Sequence, residues 1–161
     1  MATPKLYMDS IQSCYLKEFS AEITNINENT IELDRTLFYP MGGGQDWDQG
    51  KIKSNEKEID VLEVRGRDTI SHIIEPHHNL EIGQTIEGHL DWDRRYRHMK
   101  MHTAQHLVSA VAYELFDGVR TVGNQLRYDK SRIDFNPINF DDEMLSNLVN
   151  ETNNLILSLI H

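Results

Sequence analysis

Between Tyr15 and Leu90 the apolar residues fall at every second position in short segments, and no stretch among them carries a helical repeat. That property restricts the first half of the chain to a small β structure. Glu18–Asn25 alternates through Phe19, Ala21 and Ile23, and Thr30–Leu37 through Ile31, Leu33 and Leu37, with Asn27-Glu28-Asn29 as the turn between them. Further strands are expected at Gly50–Lys53, Glu58–Arg65, Thr69–Ile74 and Thr85–Leu90. Five or six strands at this spacing predict a small antiparallel barrel.

The period changes near Asp91. An amphipathic helix is predicted from about Trp92 to Phe116, with Trp92, Tyr96, Met99, Thr103, Leu107 and Ala110 on one side and Gly118 ending it. Two strands follow, Thr121–Arg127 and Ser131–Asn136, joined at Tyr128-Asp129-Lys130, with Pro137 ending the second. Asp141 is placed to cap a last helix, whose apolar stripe runs through Leu145, Leu148, Val149, Thr152, Ile156 and Leu159. The fold class is therefore α+β: a β-barrel domain over residues 1–90, then over 91–161 the N-terminal part of a two-layer domain. Two strands are few to cover two long helices, and the apolar last turn Leu155–Ile160 predicts self-association through an exposed patch.

With 39% hydrophobic and 26% charged residues in 161, the composition is that of a soluble globular protein. No apolar run reaches the roughly 20 residues of a membrane span. Met1–Ser20 lacks the basic-then-apolar layout of a signal peptide, so a cytoplasmic location is expected. Cys14 is the only cysteine, which excludes an internal disulfide and a Cys-rich zinc knuckle. The formal charge of −10 argues against non-specific nucleic-acid binding.

Three features carry chemistry. His102 and His106 lie four residues apart on the predicted helix, so their imidazoles project one above the other and can share a metal ion. His98 and His102 form a second such pair, and with eight histidines in the chain a chance pair is the competing reading. Arg94, Arg95, Arg97 and Lys100 cluster in two turns, either as phosphate contacts or as a solvated face pairing with Asp91 and Asp93. In Phe38–Gly50 the run Gly42-Gly43-Gly44 permits positive φ and close backbone approach, in a loop that contacts a ligand or another domain or else is a long structural turn. Pro76-His77-His78-Asn79-Leu80 reads as a surface turn.

Phe38-Tyr39-Pro40-Met41-Gly42-Gly43-Gly44-Gln45, with Asp48 and Gly50 after it, resembles the Gly-Gly-Gln loop of the alanyl-tRNA synthetase editing region. His102-Thr103-Ala104-Gln105-His106-Leu107 resembles the His-x-x-x-His-Leu helix of the same region, and Val122-Gly123-Asn124-Gln125 with Arg132-Ile133-Asp134-Phe135 is similar to its next hairpin. Barrel followed by α+β domain is also similar to the freestanding AlaX-type trans-editing proteins. The resemblance implies a zinc-dependent cytoplasmic deacylase acting on seryl or glycyl esters of alanine tRNA, with the tRNA acceptor end as partner. An alanine pocket cannot strongly reject a smaller residue or one that adds a hydroxyl, so a second site must remove the errors. Carried over by position, His102 and His106 hold zinc, and Gln45 and Thr121 take part in catalysis, Thr121 as the partner of the serine hydroxyl. Gly43 and Gly44 are expected to approach the substrate with Gln45, and Arg94, Arg95, Arg97 and Lys100 to contact its phosphates.

One departure stands out. The family's Cys-x-x-x-His pair does not follow residue 106, and two imidazoles fall short of the three protein ligands of a catalytic zinc. The chain is expected to be a fragment with an incomplete zinc site, and the alternative reading is a non-catalytic module that binds tRNA or a synthetase. An unrelated histidine-helix hydrolase would leave the glycine loop unexplained.

Overall fold

A computed structural model of the chain describes residues 2–54, 57–136 and 138–158 and divides into two compact units, Met1–Arg97 and His98–His161. In the first unit six strands, β1 (Glu18–Asn27), β2 (Thr30–Leu33), β3 (Gly50–Ser54), β4 (Lys57–Arg65), β5 (Ser71–Ile74) and β6 (Thr85–Leu90), close an antiparallel barrel. Its order is β1-β2-β5-β4-β3-β6, and β6 pairs back to β1 with Glu18 opposite His89. Closure removes the free edges that an open sheet of short strands would expose.

Alternation fills the barrel with Ile23, Ile31, Ile52, Val64, Ile74 and Ile86, each no more than 1% exposed. Two bulges reset the alternation. In β4 the register shifts between Val61 and Glu63, so Leu62 turns outward, 42% exposed, while Val61 and Val64 both face in. In β1 the shift falls between Ile23 and Asn25.

The predicted strand Thr30–Leu37 stops at Leu33, because beyond it the backbone changes partners. Thr36 N–H donates to the Pro4 carbonyl at 3.0 Å, and Leu6 N–H donates to the Thr36 carbonyl at 2.9 Å. The segment before β1 thus docks on the barrel, with short 3-10 turns at Leu6–Met8 and Gln12–Tyr15. Its Thr3 donates from the backbone to the Asp68 carbonyl at 2.8 Å, and the Thr3 hydroxyl accepts Ile70 N–H at 3.1 Å.

A polar pair, His72 and Thr36, is buried in the barrel unit. His72 is fully buried, its ring edge-on to Phe38 with centroids 5.6 Å apart. The Thr36 hydroxyl accepts Phe38 N–H at 3.0 Å and lies 2.9 Å from His72 Nε2, while Nδ1 lies 3.4 Å from the Ile31 carbonyl. Each hydrogen-bonding atom has one partner if Nδ1 carries the proton and Nε2 accepts from Thr36. Burial pushes the His72 pKa down to about 4.

Helix α1, Trp92–Leu115, begins in the first unit and ends in the second. Tyr113 accepts the Gly118 N–H at 2.9 Å on its carbonyl, and Gly118 at φ 79 ends the helix as expected. The second unit continues with β7 (Arg120–Leu126), β8 (Ser131–Asn136) and α2 (Asp142–Ser158). The two strands form an antiparallel hairpin in which Val122 is bulged out, 63% exposed. The Asp141 carboxylate accepts Met144 N–H at 2.8 Å and caps α2. Pro137 and Leu159, which the sequence assigns to a strand end and to the α2 stripe, lie outside the described residues.

The expected face of α1 is corrected, and that of α2 holds only in its middle. On α1 the buried positions are Arg95, His98, Gln105 and Ala112, whereas Tyr96 is 43% exposed and Thr103 is exposed. The buried stripe is largely polar, and a search for apolar spacing selects the neighbouring face instead. On α2 only Leu148 and Thr152 are buried, and Leu145 and Val149 are 45% and 56% exposed.

Candidate functional site

In the first unit the glycine loop is a closed structure. Gly42 and Gln45 exchange both backbone hydrogen bonds, at 3.1 and 3.0 Å, across Gly43 and Gly44, which sit at φ 59 and 80. Two successive positive φ values are the requirement of a type I′ turn, and glycine meets it without strain. The Tyr39 hydroxyl donates to the Gly42 carbonyl at 3.2 Å, and Gln45 at the end of the turn is only 4% exposed.

The base of the loop is held by charge. Asp48 is fully buried, and its carboxylate accepts Tyr39 N–H at 2.7 Å and Arg95 Nε at 2.8 Å. Arg95 Nη2 donates to the same carboxylate and also to the Leu37 carbonyl. Desolvating two ions costs several kcal/mol each, and only such a full set of hydrogen bonds in close geometry offsets it. The Arg95 guanidinium also lies 5.3 Å from the centroid of the Tyr7 ring, and Arg94 Nε donates to the Trp47 carbonyl at 3.0 Å. Burial raises the pKa of the Tyr7 and Tyr39 hydroxyls, so both stay protonated at neutral pH.

These contacts correct the reading of the basic cluster. Arg94 and Arg95 serve the loop, and Arg95, 4% exposed, faces no solvent phosphate. Arg97 and Lys100 are the exposed members.

In the second unit the imidazoles of His102 and His106 face each other with centroids 5.1 Å apart and planes tilted by 39°. Burial first, and His106 second, lowers the His102 pKa, so the ring is neutral at pH 7, the state that ligates metals. Gln105 and Ser109 share this side of the helix. Gln105 Nε2 donates to the Ser109 hydroxyl at 3.0 Å, which lies 2.7 Å from the Thr121 hydroxyl on β7. The structure therefore joins Thr121 to the histidine-bearing face through Ser109, a residue the sequence reading passed over. Its signal was positional, since 102, 105, 106 and 109 follow the i, i+3, i+4, i+7 spacing of one face.

Among the described residues no group of three His, Cys, Asp or Glu side chains is placed to hold a metal. Two imidazoles do not by themselves make a catalytic zinc centre, which takes three protein ligands.

A family model described as tRNA synthetases class II (A) matches residues 7–94. The chain is 42% identical over 150 residues to the alanyl-tRNA editing protein AlaX-M of Methanosarcina barkeri, covering 89% of this chain and 61% of that protein. It is 39% identical over 157 residues to AlaX-M of Saccharolobus solfataricus, covering 96% of this chain and 64% of that protein. To the alanine–tRNA ligase of Ignicoccus hospitalis it is 39% identical over 123 residues, 75% of this chain and 13% of the ligase. The chain spans about three fifths of the length of these AlaX-M relatives. With the family model matched over more than half of its length, the chain belongs to the class II tRNA synthetase (A) family, as a relative of the AlaX alanyl-tRNA editing proteins.

Proposed function

We propose that this chain carries the barrel and histidine helix of a deacylase that hydrolyses the seryl or glycyl ester of mischarged alanine tRNA. The observation that carries the reading is the facing pair His102 and His106, 5.1 Å apart, on the helix side that Ser109 links to Thr121. The AlaX-M similarity supports it. Water adds to the ester carbonyl carbon, the bond to the terminal ribose oxygen breaks, and that oxygen takes a proton as the amino acid leaves. Thr121, its rotamer held by Ser109, meets the serine hydroxyl, and the exposed Arg97 and Lys100 meet phosphates of the acceptor end. Gln45 and the Gly43-Gly44 turn belong to the same reading as the loop that resembles the family's Gly-Gly-Gln motif. His102 and His106 are the residues here that would hold a zinc ion, which with a further protein ligand would lower the pKa of the attacking water. A cytoplasmic location belongs to the same reading, and no helix of the described residues is long and apolar enough to cross a membrane. Leu145, Val149 and Leu157 stay exposed on α2, which supports self-association through that helix.

Serine release from seryl-tRNA specific for alanine tests the reading. The chain is expected to release serine above the spontaneous rate, and a His102→Ala, His106→Ala double variant is expected to fall back to that rate. Equal rates in the two proteins would overturn it. Thr121→Val should lower serine release about tenfold while leaving glycine release nearly unchanged, the loss of roughly one hydrogen bond to a hydroxyl that glycine lacks. A uniform loss on both esters would remove Thr121 from the specificity role.

A further inference from the structure

Beside the glycine loop the first unit has a cleft of about 560 Å³, in the range of roughly 300–1,000 Å³ typical of ligand pockets. Lys5 and Arg67 supply two cations, and Tyr7 and Tyr39 supply two rings whose centroids are 5.6 Å apart. Lys5 Nζ donates to the Arg67 carbonyl at 2.7 Å, which holds the ammonium at the base of the Arg67 side chain. Neither cation forms an ion pair among the described residues, and no carboxylate lines the cleft, although the chain carries a formal charge of −10. Asp68, next in sequence, is not among the lining groups. Paired cations beside aromatic rings match a phosphate joined to a flat, polarisable base. The editing reading uses neither Lys5 nor Arg67.

We propose that this cleft binds one nucleotide of an RNA strand, its phosphate between Lys5 and Arg67 and its base against Tyr7 and Tyr39. The choice of RNA rests on the editing reading, whereas the nucleotide chemistry rests on the cleft.

The test is binding of a labelled single-stranded oligoribonucleotide of about four residues to the full chain at low salt, read by fluorescence anisotropy. Lys5→Ala and Arg67→Ala are each expected to weaken binding about tenfold and to reduce the salt dependence by about 0.7 in log–log slope. Lys57→Ala, an exposed lysine on β4 outside the cleft, should change neither. Competition by AMP would identify a single nucleotide as sufficient, and competition by unlabelled strand alone would identify the strand as the ligand. Both support the site. Absence of binding, or an equal loss with Lys57→Ala, overturns it. Binding that follows Lys5 and Arg67 in a protein showing no histidine-dependent serine release would sink the editing reading and leave the cleft standing.

Discussion

Asp48→Ala is expected to lower the unfolding free energy by about 3–5 kcal/mol, because it leaves the Arg95 guanidinium buried with only the Leu37 carbonyl and the Tyr7 ring as partners. The same change strands Tyr39 N–H, which donates to this carboxylate at 2.7 Å. Arg95→Ala should cost a similar amount for the mirrored reason. A double variant, Asp48→Leu with Arg95→Met, removes both charges and should lose less than either alanine variant, since the uncompensated ion is the larger part of the penalty. Urea unfolding followed by circular dichroism reads all three. A loss under about 1 kcal/mol for Asp48→Ala would mean that water reaches the pair in solution. Against a typical total of about 5–15 kcal/mol, the expected loss is large enough to populate unfolded chain near body temperature.

Acidification from pH 7.5 to pH 4 is expected to remove about 3 kcal/mol of stability through His72 alone. Its folded pKa is pushed down to about 4 from 6.5. Below pH 6.5 the unfolded chain takes up a proton that the folded chain refuses, so the contribution is whole above 6.5 and lost as the pH falls toward 4. Below about 4 both states are protonated and the loss stops growing. A protonated ring would have to donate from both nitrogens, and the Thr36 hydroxyl, accepting from Nε2 and from Phe38 N–H, would lose the Nε2 acceptor for its own proton. His72→Leu should flatten the profile between pH 6.5 and 5. The exposed Glu58, whose pKa the Lys51 and Lys53 ammoniums hold near 2, acts below this range. An unchanged slope in His72→Leu would assign the acid sensitivity to other groups.

Alternation located all six barrel strands to within a few residues, since a strand packed on one face must place apolar side chains at every second position. Where it overran, as from Leu33 to Leu37, the apolar Leu37 extended the pattern while the backbone had turned to the segment holding Pro4 and Leu6, and Thr36, Leu37 and Phe38 are buried in succession. No local pattern reports such a change of partner. The pair His102 and His106 was legible from spacing, and so was the glycine turn from its composition. Asp48 and Arg95 stand 47 residues apart, and only the tertiary fold shows that the arginine belongs to the loop. The buried face of α1 was missed for a related reason: Arg95, His98 and Gln105 look like surface residues to any count of apolar positions.

The pairing of β1 with β6 has a consequence for where such a barrel can be used. Leu90 N–H donates to the Lys17 carbonyl at 2.8 Å, so the first strand of the barrel begins and its last strand ends at adjacent points. A module whose ends meet can be spliced into a longer polypeptide, because the host needs only a local gap and not a span across the domain.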